Sequence, residues 1–198
     1  MTGSGGRTGT NAESSTGSAS HAGAAGTPTS MGGSAESSSA VGGVEGAPPG
    51  TCWLTLPGAT GAEPDGTIPI CCNPTVEERE RRDELIRALN EYRVQGGLGT
   101  LQSDSATQAA AQGYARHMDE HPFFDSSAPE AVVGTVWEAA ALCSAHVTAA
   151  NLAANLGGPL DVLNTWIETP STDLWLVNPE FTRVGLGNQG YHWCLLLD

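Results

Sequence analysis

The sequence predicts an α+β layered domain preceded by a disordered tail, and three observations carry that prediction. The composition breaks near residue 50, helical periodicity begins after residue 75, and two strand-like runs close the C-terminus as a hairpin. About 40 of the first 50 residues are Gly, Ser, Thr, Ala or Pro, and none is aromatic. Such a segment buries too little apolar surface to offset its ordering entropy, so residues 1–50 read as a flexible tether. The roughly 150 residues that follow, with all 5 Trp, are enough for one core.

Residues 51–75, rich in Pro and Gly, read as an irregular wrap rather than a helix. A bridge from Cys52 to Cys71 or Cys72 would hold that wrap. Adjacent cysteines rarely bond to each other, so Cys71 and Cys72 each need a different partner. Cys143 and Cys194 form a second bridge, or one of them meets Cys71 or Cys72, and an odd count leaves at least one thiol unpaired.

A helix starts at "TVEE", where Thr75 as N-cap and Glu78 make a capping box. Leu85, Leu89 and Tyr92 share one face. Glu77 with Arg81, Glu78 with Arg82 and Asp83 with Arg87 stand at i,i+4 on exposed faces, which reads as a solvated helix surface. "QGGLGTL" ends the helix. A second helix runs from a cap at Ser103 or Asp104 to Pro122, with Ala111, Ala115 and Met118 as its stripe. "AVVGTVWEAAALC" opens β-branched and reads as a strand or extended loop. "HVTAANLAANLGG" and "GPLDVLNTWIETP" read as two further helices, and a polar loop follows Pro170. "TRVGLGN" and "GYHWCLLLD" form the closing hairpin, with hairpin geometry accounting for the glycines.

In this order the residues resemble the CAP superfamily, also called the SCP, cysteine-rich secretory, antigen 5 and pathogenesis-related-1 domain, in its bacterial form. Asn90, Arg93, Gly97 and Leu101 match its opening Asn-x-x-Arg helix. Ala111, Ala115 and Met118 match its alanine-rich helix, and Phe123 and Phe124 stand where an aromatic precedes Ser-His. Asn151 and Ala153 keep part of Glu-Asn-Ile-Ala. Trp166, Pro170, Asn178, Phe181, Val184, Gly185 and Gly187 fit the Trp, Ser-Pro-Gly-His, Asn-Pro and Val-Gly-Val-Gly pattern, and Tyr191 and Trp193 its closing strand. The resemblance spans residues 80–198. It implies a secreted three-layer α-β-α sandwich over residues 76–198, with a cavity whose metal tetrad has two His and two acidic residues. Here the matching positions carry Ser126, Ala150 and Thr172, which cannot supply the N, S or O ligands a zinc ion needs.

The formal charge of -14 comes from 22 acidic and 8 basic residues, and it excludes nucleic acid and anionic membrane surfaces as partners. No apolar run is long enough to span a bilayer. Five cysteines and a long tether point to an extracellular or envelope location, with an export signal or lipid anchor upstream of Met1; a cytosolic protein with free thiols is the alternative. The expected function is a non-catalytic module binding a small apolar ligand or a cell-surface partner through its cleft, with Asp125, Ser126, Glu138, His146, Glu168 and Thr172 as cleft candidates and no cofactor. Lipid, sterol or a protein surface are the ligands the resemblance implies. The rival is a zinc-dependent, hydrolase-like protein with relocated ligands. His117 and His121 lie four apart on one helix face and suit a metal pair, joined in that reading by Asp125 and Glu168, although two solvent-facing histidines at a helix C-terminus are also favoured by the helix dipole. Cys143 with His146, or Cys194 with His192, lacks any signature of a nucleophile and base.

Overall fold

The computed structural model describes residues 48–58 and 66–198; residues 1–47, most of the segment read as a tether, lie outside them. In chain order the elements are β1 (Cys52–Pro57), β2 (Thr67–Cys72), α1 (Val76–Gln95), β3 (Gln102–Ser103), α2 (Ser105–Glu120), α3 (Val136–Leu142), β4 (Ala149–Ala153), α4 (Pro159–Glu168), α5 (Pro170–Leu176), β5 (Arg183–Gln189) and β6 (His192–Leu197). The sheet has the order β3-β5-β6-β4, with β6 antiparallel to both neighbours and β3 parallel to β5.

The three-layer α-β-α sandwich is present, and the alternation along β6 shows how it is built. Trp193, Leu195 and Leu197 point into a core with α1 and α4, while Cys194 and Leu196 point into a second core with α2 and α3. A strand buried on both faces needs apolar residues at every position, and "WCLLL" supplies them.

Glycine spacing in β5 sets the distance to α2. Val184 and Leu186 face the α1 layer, and the intervening Gly185 and Gly187 face α2. A Cβ on Gly185 would fall 2.3 Å from the Thr107 carbonyl, and one on Gly187 would fall 2.1 Å from the Ala111 oxygen. These two glycines therefore serve close helix-on-strand approach, which corrects their assignment to hairpin geometry; the turn itself is at Gly190, with φ of 54°. Because β3 covers only Arg183 and Val184, the rest of that edge of β5 needs other partners. Gln108 and Gln112, one turn apart on α2, provide them: the amide of Gln108 donates to Leu186 O and that of Gln112 to Asn188 O (2.8 Å), and the Leu186 and Asn188 N–H groups donate back.

The structure keeps the capping box of Thr75 and Glu78 on α1 and makes Asp104 the N-cap of α2. The expected charge pairs on α1 are replaced. Glu78 is buried and committed to its cap, and Arg81 donates to Gly157 O (2.9 Å) with its guanidinium over the Trp193 ring; the ion pairs are Arg82–Asp83 and Arg87–Glu91. Arg93 is buried and fans out to the carbonyls of Gly99, Leu176, Asn178 and Phe181, while the Asn90 side chain clamps both backbone groups of Leu101.

Four expectations change. Within residues 51–75, the irregular wrap is instead the antiparallel pair β1 and β2, closed by Cys52–Cys72 and laid on α2, where Gly113 leaves room for Ile70. "VWEAAAL" is helix α3, because Thr135 and Glu138 form a second capping box. "AANLA" is strand β4, since it pairs with all of Trp193 to Leu197, and tertiary pairing outweighs the helix propensity of alanine. The polar loop after Pro170 is helix α5, with Pro170 in its first turn.

The second bridge joins Cys71 to Cys143, so the adjacent cysteines take separate partners and Cys194 is the unpaired thiol. Among the described residues no helix is long and apolar enough to cross a membrane.

Candidate functional site

A cleft of about 610 Å³ opens beside β4. One wall is Pro122, Phe123 and Phe124, just beyond the end of α2; the floor is Leu152 and Ala153 at the end of β4 with the segment from Ala154 to Leu156 after it; the far wall is Thr165, Trp166, Thr169 and Thr172 from α4 and α5, and His192 closes one side. Trp166 is held by its own backbone partner, the indole Nε1 donating to Leu152 O at 3.1 Å. The polar atoms around the cleft are largely engaged. The Thr172 hydroxyl donates to Trp166 O (2.7 Å) or to Thr169 O (3.0 Å), and His192 Nδ1 lies 3.2 Å from Asp119 Oδ1.

Of the six cleft candidates read from the sequence, only Thr172 lines this cleft. Asp125 accepts from Ser127 N through its side chain and from Tyr114 OH through its carbonyl, and the Ser126 carbonyl accepts from Val136 N. Glu138 is spent on the α3 cap: hydrogen bonds from the Thr135 backbone and hydroxyl hold its carboxyl below the ordinary value. His146 pairs with Asp198 at the C-terminal end of the sheet, and Glu168 is exposed at the end of α4. Ala150 shares a face of β4 with Leu152, two residues away, and brings only a methyl group. His192 and the Phe123, Phe124 wall are the cleft residues that mattered and were not singled out as such; two consecutive aromatics directly after a helix stop were the available signal.

The histidines on α2 behave differently from their expectation. His117 is fully buried rather than solvent-facing, packed edge-on against Tyr114 and Phe123. His121 is the C-cap of α2. Asp125 and Glu168 do not join them. Glu130, from the loop before α3, does: its Oε2 lies 2.9 Å from His117 Nε2 and its Oε1 lies 3.3 Å from His121 Nδ1. Burial lowers the His117 pKa below the ordinary imidazole value, outweighing the pull of Glu130, so the ring is neutral at pH 7. Although His117 Nε2 and Glu130 Oε2 lie 2.9 Å apart, both ring nitrogens and that oxygen are buried without a hydrogen bond of good geometry.

The structure likewise gives no thiol nucleophile among the described residues. Cys143 is in a disulfide, and complete burial raises the Cys194 pKa far above the usual thiol range, the opposite of what a nucleophile needs.

Comparison with known proteins agrees with this architecture. No curated protein sequence is significantly similar to the chain. Among solved structures, the fold is similar to an extracellular SCP-domain protein of Bacillus anthracis (TM-score 0.57, 21% identity, covering 61% of this chain and 40% of that one). It is also similar to an outer surface protein of Borrelia burgdorferi (0.54, 20%, covering 62% and 96%). A cysteine-rich secretory protein of Staphylococcus aureus follows (0.50, 15%, covering 63% and 40%). The match thus spans well under half of the Bacillus and Staphylococcus proteins and nearly all of the Borrelia one. Residues 86–191 match the cysteine-rich secretory protein family, CAP, over more than half of the sequence, and the chain belongs to that family.

Proposed function

We propose that this chain is a bacterial, secreted or envelope-anchored CAP domain that acts by binding rather than catalysis, taking a lipid- or sterol-like apolar ligand into the cleft between Phe123, Phe124 and Trp166. The observation that carries the reading is the cleft itself: its volume of about 610 Å³ falls in the range of small-molecule sites, and Phe, Leu and Trp side chains form its walls. A degenerate tetrad is part of the proposal. Ser126 lies outside the cleft, Ala150 has no donor, and the Thr172 hydroxyl is turned onto helix carbonyls, so the residues at the family's ligand positions do not fit a metal there. Two disulfides support an oxidising compartment, as do the extracellular, outer-surface and secretory relatives of the fold.

The test is direct titration of the full chain with a fluorescent fatty acid and a fluorescent sterol. Saturable binding of either probe is expected, and Phe124→Asp, at an exposed ring on the cleft wall, should weaken it at least about tenfold, or about 1.4 kcal/mol, by placing a carboxylate against the apolar chain. If neither probe binds, or if Phe124→Asp binds as tightly as the parent, the cleft reading is wrong.

A further inference from the structure

The trio of His117, His121 and Glu130 is placed as metal ligands are placed. The two histidines occupy successive turns of α2 on one face, and the loop before α3 returns to set a carboxylate against both rings. Their potential ligand atoms all lie within 4.8 Å of one another. A tetrahedral ion with bonds of about 2 Å needs its donors about 3.3 Å apart, so small side-chain adjustments close the set.

Two further observations separate this trio from an ordinary ion pair. His117 is fully buried, yet neither of its nitrogens has a hydrogen-bond partner, and Glu130 Oε2 is equally unpartnered. Orphaned buried polar atoms are unfavourable unless something satisfies them, and a single ion can satisfy one His117 nitrogen together with Glu130 Oε2. Moreover, one carboxylate stands against both rings, with Oε2 at 2.9 Å from His117 Nε2 and Oε1 at 3.3 Å from His121 Nδ1.

We infer that His117, His121 and Glu130 form a binding site for one divalent transition-metal ion of the zinc class, tying the end of α2 to the loop before α3. Two imidazoles and one carboxylate suit zinc and its neighbours, whereas calcium and magnesium prefer all-oxygen shells. None of the three residues occupies the Ser126, Ala150 or Thr172 positions, and none lines the cleft, so the site stands independently of the cleft reading. His121 and Glu130 retain partial exposure, which gives the ion a path in and leaves a fourth position for water. Phe123 and Phe124 lie in sequence between the ligands, so the ion would also fix one wall of the cleft.

The experiment is calorimetric titration of untagged full-length protein with zinc chloride in a non-coordinating buffer, repeated with cobalt(II) and read by visible absorption. One equivalent should bind with a Kd below about 1 μM, and cobalt should give the absorption of a four-coordinate N/O site. His121→Ala and Glu130→Gln, both at partly exposed positions and checked for folding by circular dichroism, should each weaken zinc at least about tenfold, and His146→Ala should leave it unchanged. Absence of zinc binding at 1:1 in the parent overturns the proposal, as does binding that both variants retain.

Discussion

Arg93 offers the sharpest test of how this fold is held together. It is 1% exposed, and its guanidinium donates to Gly99 O (2.9 Å), Leu176 O (2.7 Å), Asn178 O (3.0 Å) and Phe181 O (3.2 Å). Those carbonyls belong to the loop after α1, the end of α5 and the approach to β5, so one side chain ties three segments. Replacing it with Met keeps much of the packing and removes all four donors. The Gly99 carbonyl lies in an exposed turn and can return to water, but the bonds to Leu176 and Phe181 are buried. Two orphaned carbonyls cost about 2–6 kcal/mol together, from which the relief of a buried charge must be subtracted. Burial lowers the Arg93 pKa, the same desolvation that gives this relief its sign. The net loss for Arg93→Met is therefore set at about 3–4 kcal/mol, a large part of the about 5–15 kcal/mol that stabilises a typical domain. Arg93→Lys keeps the charge but not the planar fork, and should lose about 2 kcal/mol. Urea unfolding followed by the fluorescence of buried Trp166 and Trp193 reads both, with an unchanged slope as the check on two-state behaviour. A cost below about 1 kcal/mol for Arg93→Met would mean that desolvation consumes what the four bonds return, and the role assigned to Arg93 would fail.

Three more outcomes follow from the packing and the disulfides. Gly187→Ala places a Cβ 2.1 Å from Ala111 O, so α2 must lift from the sheet and the glutamine bonds to β5 lengthen; a loss of at least about 1–3 kcal/mol is expected in the same unfolding assay, against almost none for Gly99→Ala, where nothing lies within 4 Å. For the cysteines, a thiol reagent should find none in the native oxidised protein and one, Cys194, after denaturation without reductant. Cys143→Ser opens a bridge spanning 72 residues and should cost about 4 kcal/mol.

How much of this was readable in the sequence depends on whether the signal was local. α1 and α2 are legible because their caps and apolar stripes lie within one element, α4 because its apolar spacing does, and β5 with β6 because two apolar runs flank a turn. β4 is not, since five residues dominated by alanine carry a helical preference, and only the partner strand, 40 to 48 residues away, makes them extended. α3 could have been found: Thr135 and Glu138 spell a capping box that the preceding valines obscured. α5 is hidden because a proline after a helical run reads as a stop, although proline also begins helices. At the candidate sites, the spacing of His117 and His121 was visible, but Glu130 is brought in by a loop of no periodicity, and the burial of His117 is decided by Phe123 and Tyr114 rather than by position on the helix. Of the two cleft candidates drawn from the family's ligand positions, Thr172 lines the cleft through its place on α5, whereas Ser126 sits in the loop before α3, a placement that no local sequence signal sets.

The side chains that complete the hydrogen bonding of the sheet have a consequence for behaviour at high concentration. Open strand edges invite a second chain to pair and so begin aggregation. Here Gln108 and Gln112 occupy the edge of β5 beyond β3, and the Trp166 indole occupies the Leu152 carbonyl on the edge of β4. An incoming strand must first displace a glutamine or a tryptophan that is itself packed in the core. The fold thus limits intermolecular pairing with residues that also build its layers, so the same two glutamines guard the strand edge and hold α2 on the sheet.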